Sequence, residues 1–180
     1  MIKLLWKKTR YNATIPTKTK ENIGYDVYHT YEEPFAIQPH ETVMLPTGLA
    51  VAIVDVNSIN GYIQWSNDFA LIAKDRGSTG SIGLHTYCGV IDAGYRGEIF
   101  IAVHNSNDVP VEFDEIEKTK KEYDDFGNLQ CIVYPLHKAI AQLILVESYH
   151  VESAEIDDEA AWSALCNTER GAGALGSSGK

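Results

Sequence analysis

Thr42–Val54 reads TVMLPTGLAVAIV. The run is apolar, rich in β-branched residues, and too short for a membrane span. Gly97–His104 (GEIFIAVH) and Ala139–Val146 (AIAQLILV) have the same character. Gly, Pro, Asn and Asp punctuate the chain between these runs. Short β-branched runs separated by turn residues are the mark of strands. Many such strands in succession make a sandwich or a barrel. No amphipathic segment of about 10–15 residues alternates with them, which argues against a parallel α/β fold. The fold class read from the sequence is therefore all-β.

The chain has 180 residues, enough for one domain with a tail and a core that needs no disulfide framework. Its net charge is −10 and its pI about 5.0, which excludes a general nucleic-acid binder. A nucleotide enzyme stays open, because a few local Lys and Arg suffice for it. The three cysteines, Cys88, Cys131 and Cys166, are widely spaced, which suits a reducing compartment and not a zinc knuckle. The six histidines, at 29, 40, 85, 104, 137 and 150, follow no metal-ligand spacing and read as structural or solvated. No apolar run approaches the roughly 20 residues of a membrane helix. Met1–Lys8 (MIKLLWKK) lacks the apolar core of a signal peptide. The expectation is a cytoplasmic protein with no membrane and no nucleic-acid partner.

Three stretches break the strand pattern. Val54–Phe69 (VDVNSINGYIQWSNDF) is long and polar for a hairpin connection, and Ser106–Gln130 is longer and dense in charge. Loops beyond about 12–15 residues are usually functional or mobile. Asp157–Leu165 (DDEAAWSAL) places acidic residues before Ala and Leu, which suits one short helix with its dipole complemented. The domain reading is a β-domain over 1–156, with insertions near 54–69 and 106–130, followed by an arm over 157–180.

Several short motifs carry possible chemistry. Arg170–Lys180 (RGAGALGSSGK) is too rich in Gly and Ser for a core. It can wrap a phosphate chain with backbone N–H groups, hydroxyls and the Arg170 fork, and it also has the composition of a linker. Asp75–Ser81 (DRGSTGS) is a second donor-rich loop, readable as an anion site or as a surface turn. In Gly89–Gly97 (GVIDAGYRG), Val90-Ile91 reads as a strand end and Ala93-Gly94 as a tight turn. Asp92 there is placed to act as general base on a water, with Tyr95 offering a flat face to a sugar. The structural alternative has Asp92 capping the turn and Tyr95 in the core. Asp26 reads as a strand-end carboxylate, and Gln142 as an inward amide that needs partners.

Taken together and in order, these stretches resemble the five motifs of the homotrimeric dUTPases. The first is Gly24-Tyr25-Asp26, after a lead-in, ATIPTKTKENI, similar to the family's A-x-x-P-T. The second is Asp75–Thr79 (DRGST) and the third Gly89–Ile99 (GVIDAGYRGEI). The fourth is Ala139–Leu145 (AIAQLIL) and the fifth Arg170–Gly179 (RGAGALGSSG). Leu45–Ile53 (LPTGLAVAI) resembles the family's strand before motif two. The resemblance implies a jelly-roll-like, distorted β-barrel with a flexible C-terminal arm, three subunits sharing each active site, and conversion of dUTP and water to dUMP and pyrophosphate. It implies Mg²⁺ held by substrate phosphates and water, with no direct protein ligand. Mapped residue by residue, Asp92 activates the water and Tyr95 stacks on deoxyribose. Arg76, Gly77, Ser78 and Gln142 meet phosphates, and Asp26 is a supporting carboxylate. Thr86 and Gly89 fall on the base-reading hairpin. Arg170, Leu175, Gly176, Ser177 and Ser178 close over the substrate from the arm.

The sequence also departs from that pattern. Asp75-Arg76-Gly77 stands where Pro-Arg-Ser is usual, Thr86 where Asn is common, and His137-Lys138-Ala139 where Gly-Asp-Arg is usual. The segment from Arg76 to Asp92 is short for the family. Leu175 replaces the Phe that stacks on uracil, a change expected to weaken stacking by about 1 kcal/mol. Leu175→Phe should therefore alter the kinetic constants for dUTP. A dCTP deaminase, which shares the fold, needs a Glu ten residues beyond the Asp, and that position is Ala102. Ammonia release from dCTP separates the two. A further alternative is a regulatory protein of this fold that engages a protein partner through 106–130. If that stretch only recruits a partner, deleting Glu112–Asn128 is expected to spare hydrolysis.

Overall fold

The computed structural model of the chain describes residues 1–56, 62–149, 151–165 and 168. The chain divides into two compact units, Met1–Ser148 and Tyr149–Lys180. The second unit begins before the expected arm at 157. In the first unit the strands are β1 (Ile2–Lys8), β2 (Tyr25–Val27), β3 (Phe35–Ile37), β4 (Thr42–Pro46), β5 (Leu49–Val56), β6 (Ile63–Trp65) and β7 (Phe69–Lys74). After the short helix α1 (Gly77–Gly80) come β8 (Leu84–Thr86), β9 (Val90–Ile91), β10 (Phe100–Asn105), β11 (Val111–Asp114), β12 (Lys120–Tyr123), β13 (Leu129–Pro135) and β14 (Ala141–Glu147). The second unit carries α2 (Glu159–Leu165).

The all-β expectation is met. The strands form four small sheets, ordered β1-β5-β6, β4-β10-β8, β12-β13-β11-β3 and β2-β14-β7-β9. Among the described residues these sheets do not close into one hydrogen-bonded barrel. They meet on one apolar core, to which Ile53, Leu45, Ile101, Ile37, Val27 and Leu143 each bring a fully buried side chain. Burying each such side chain stabilises the fold by roughly 1.5–3 kcal/mol.

The opening stretch, Thr42–Val54, is two strands in two different sheets. β4 pairs with β10, whereas β5 pairs with β1 and β6. The corner is Thr47-Gly48. Gly48 has φ 67, and a Cβ there would stand 2.8 Å from Ala13 Cβ and 2.9 Å from Thr30 Cγ2. Only glycine fits both demands. Thr47 Oγ1 donates to the Ile99 carbonyl at 2.7 Å, and the Gly48 N–H donates to Glu98 Oε1 at 3.0 Å. Glu98 also takes the Arg10 Nε–H at 2.8 Å, so the end of motif three fastens this corner.

Both predicted insertions contain strands. Residues 54–69 supply the end of β5 and all of β6, paired through Val54↔Trp65 and Val56↔Ile63. Residues 106–130 supply β11, β12 and the start of β13. β11 alternates buried and exposed side chains, with Val111 and Phe113 fully buried. It runs parallel to β13 and antiparallel to β3. Parallel neighbours need a crossover that carries the chain back, and β12, antiparallel to β13, lies on that return. Deleting Glu112–Asn128 would remove a core strand, so it cannot isolate a recruiting role as the sequence suggested. The helix expected in 157–165 is α2, with Asp158 Oδ1 accepting the N–H groups of Ala160 and Ala161 at 2.9 and 3.1 Å.

Candidate active site

The register of one sheet assembles the cavity around Arg76. Gln142 on β14 stands opposite Asp26 on β2 and Lys74 on β7. Gly24 allows the close approach, because a Cβ there would lie 2.9 Å from Gln142 Cβ. The Gln142 amide donates to the Asp75 carbonyl at 2.8 Å, which satisfies the polar group the sequence placed in an apolar strand. Asp26, Arg76, Gly77, Ser78 and Gln142 then line one open cavity of about 340 Å³, together with Asn22 and Lys138.

Arg76 is held from two sides. Its Nε donates to Asp26 Oδ1 at 2.8 Å and its Nη2 to Asp26 Oδ2 at 2.9 Å, a bidentate fork. Its Nη1 donates to Ser78 Oγ at 3.1 Å. Partial burial works against the guanidinium charge, but the Asp26 carboxylate outweighs it and raises the Arg76 pKa. The buried Tyr134 donates its hydroxyl to the Ala139 carbonyl at 2.9 Å and stands 3.3 Å from Ser78 Oγ. Gly77 is open, since a Cβ there would meet nothing within 4 Å.

Asp75 ties this cavity to the strand carrying Thr86. Its Oδ1 accepts the Thr86 N–H and its Oδ2 lies 3.2 Å from His85 Nδ1. Burial opposes ionisation of Asp75, but the Thr86 N–H and His85 outweigh it and lower the pKa. The sequence placed Asp75 at the start of a donor-rich loop and marked it as a departure from Pro, but gave it no role of its own. Its role lies in contacts ten and eleven residues on, which no local motif reveals. Asn22, Lys138 and Tyr134 were also not singled out as site residues.

The third motif forms a second cavity, of about 280 Å³, lined by Gly89, Asp92, Tyr95, Met44 and Phe100 among others. β9 ends at Ile91, and the turn closes with the Tyr95 N–H donating to the Asp92 carbonyl at 3.0 Å. The Tyr95 hydroxyl donates to the Glu98 carbonyl at 2.8 Å, and the ring lies where any side chain on Gly97 would collide with it. Tyr95 is 46% exposed, so it is a surface ring and not a core residue. The Asp92 carboxylate is exposed and has no hydrogen-bond partner among the described residues. It does not cap the turn with its side chain.

Among the described residues the two cavities share no lining residue. Thr86 lines neither. β9 pairs with β7 through Leu71↔Ile91 and Ile72↔Val90, so the chain reaches Asp92 by moving towards Ala70. Gln142 faces Lys74 at the other end of β7. Four residues of strand separate those levels, about 13 Å. Arg170, Leu175, Gly176, Ser177 and Ser178 lie outside the described residues.

The family model described as dUTPase matches residues 10–119, more than half of the chain. The chain belongs to the dUTPase family. The match takes in motifs one to three, and similar proteins extend it. A deoxyuridine 5′-triphosphate nucleotidohydrolase of Haemophilus influenzae is 27% identical over 99% of this chain and 96% of its own length. The enzyme of that name from Coxiella burnetii is 28% identical over 99% and 95%. The dUTPase of Staphylococcus bacteriophage 80alpha, solved with dUpNHpp, has the same fold, with TM-score 0.69 and 22% identity over 99% of each chain. A phage phi11 dUTPase, whose structure describes coordination of a structural Mg(II) ion, gives TM-score 0.61 and 21% identity over 87% of this chain and 97% of its own.

Within this dUTPase-family chain the donor set suits a metal held mostly by substrate. Among the described residues no group of three or more His, Cys, Asp or Glu stands together as a cage. Asp26 is the carboxylate of the Arg76 cavity. Mg²⁺ keeps several waters and takes phosphate oxygens, so such a site fits it without a protein cage.

Proposed function

We propose that this chain is a dUTP diphosphatase that hydrolyses dUTP to dUMP and pyrophosphate. The observation that carries the reading is the unpartnered Asp92 carboxylate on an open cavity beside Tyr95. Asp92 takes a proton from a water as that water's oxygen bonds to the α-phosphorus, and pyrophosphate leaves with the electrons of the broken P–O bond. Tyr95 packs against deoxyribose and leaves no room for a 2′-hydroxyl. Gly89 lets the backbone approach the nucleoside, and Thr86 lies on the base-reading strand. Arg76, Gly77, Ser78 and Gln142 bind phosphates, and Asp26 acts by orienting Arg76. Arg170, Gly176, Ser177 and Ser178 close over the phosphates, with Leu175 against uracil. Mg²⁺ would be held through the substrate's phosphates and water, with Asp26 as the supporting carboxylate of this cavity, and would supply charge neutralisation across the triphosphate.

The active unit in this reading is a homotrimer. One chain places Asp92 and Gln142 about 13 Å apart along β7 and on different cavities. A general base has to stand within hydrogen-bond reach of its water. Copies that pair the Asp92 cavity of one with the Arg76 cavity of another meet that requirement. No helix of the described residues is long and apolar enough to cross a membrane, and a nucleotide substrate supports a cytoplasmic location.

The test is pyrophosphate release from a panel of ribo- and deoxynucleoside triphosphates, with Mg²⁺ and with chelator. Asp92→Asn should lose about 10²–10⁴-fold in kcat, the usual worth of a general base. Equal activity of Asp92→Asn would overturn the mechanism.

A second reading adds a protein partner that docks on the β12–β13 hairpin. Its support is the hairpin tip, where Phe126 is 90% exposed and Tyr123 57%.

A further inference from the structure

We infer that Lys138 is a substrate-binding residue that gives the Arg76 cavity its uncompensated positive charge. The inference rests on the phosphate reading of that cavity given above. Two cations, Arg76 and Lys138, and one carboxylate, Asp26, line it. Asp26 spends both oxygens on Arg76, at 2.8 and 2.9 Å, so that pair is neutral as a unit. The third Arg76 nitrogen already donates to Ser78 Oγ at 3.1 Å.

Lys138 has no ion-pair partner among the described residues. Its backbone is fixed by a turn, with the Lys138 N–H donating to the Pro135 carbonyl at 3.2 Å. Its Nζ lies 5.2 Å from the centre of the Tyr134 ring. That ring carries the hydroxyl 3.3 Å from Ser78 Oγ. The ammonium is therefore held beside the Ser78 end of the cavity by a cation–π contact, with its three donors unspent. A flexible, strongly hydrated point charge of this kind suits phosphate oxygens. The need for it follows from the chain's net charge of −10, which repels a polyphosphate until a local cation offsets it.

The test uses the full chain with Lys138→Met, which keeps the stem over Tyr134 and removes the charge, Lys138→Arg, which keeps the charge, and Ser78→Ala as a marker of the cavity. Binding of dUMP, dUDP and an imido analogue of dUTP is measured beside steady-state kinetics and ligand-free unfolding. Loss of one charged contact should weaken the analogue about tenfold in Lys138→Met. The effect should fall through dUDP to nearly nothing for dUMP, raise KM more than it lowers kcat, and recover in Lys138→Arg. Equal weakening of dUMP and the analogue would overturn the assignment. If Ser78→Ala weakens the analogue and Lys138→Met does not, the Lys138 assignment falls while the phosphate cavity stands. If neither variant weakens it, both fall.

Discussion

Gly48 and His29 show how single residues hold this fold in place. At Gly48 the backbone is left-handed and two neighbouring side chains fill the space of a Cβ. Gly48→Ala should cost about 3 kcal/mol, adding left-handed strain to overpacking. Denaturant unfolding checks it, and a loss under about 1 kcal/mol would refute it. His29 packs edge-on against the stacked rings of Phe35 and Phe113, at ring separations of 5.2 and 5.6 Å. Burial, then the nearby His137, lowers its pKa to about 4, against the opposing pull of the Leu136 carbonyl. The unfolded chain takes up that proton near pH 6.5 and the folded chain does not. This stabilisation is therefore present above about pH 6.5 and is lost as pH falls towards 4, on the order of 3 kcal/mol in all. Wild type should lose more stability than His29→Phe between pH 7 and 4.5, and parallel curves would contradict the account. The turn that exposes Asp92 and Tyr95 was legible from sequence because a strand end, a tight turn and a carboxylate are all local. The use of Asp75 was not, because its partners come from another strand.

At the scale of elements, hydropathy located strands where apolar residues cluster and missed them where charges sit on one face. β11 reads VEFD, and its two acidic residues point outward while Val111 and Phe113 fill the core. Four residues are too few for that alternation to stand out within a charged stretch. All of β12, KKEY, is exposed at the sheet edge, where lysines also discourage pairing with another chain's strand. The corner at Thr47-Gly48 was hidden for the opposite reason, since apolar residues continue across it. The hairpin tip is independent of these constraints. Asp124 Oδ1 accepts the N–H groups of Phe126 and Asn128 at 2.9 and 2.8 Å, and Gly127 takes φ 84. Phe126→Ser should leave unfolding and dUTP hydrolysis unchanged and weaken any protein complex made through the hairpin. A fall in turnover would instead place the tip at the active site.

On the scale of the whole molecule, the family motifs gave more than composition could. Net charge and cysteine count bounded the class, while the order of five short motifs pointed to the fold. What they left out was that the two candidate cavities lie towards opposite ends of one sheet. The residues of the Arg76 cavity converge through strand register, and Asp92 leaves the same sheet at its other end. In the proposed trimer, half-sites on different chains have a consequence for inheritance. Two defective alleles, one coding for Asp92→Asn and one for Arg76→Ala, can complement each other in the same cell. In randomly mixed trimers about a quarter of the sites draw both halves from intact faces. Coexpressed variants should recover about that fraction of activity, and the separately purified proteins almost none until their subunits exchange. Absence of recovery in proven mixed trimers would mean that each chain completes its own site.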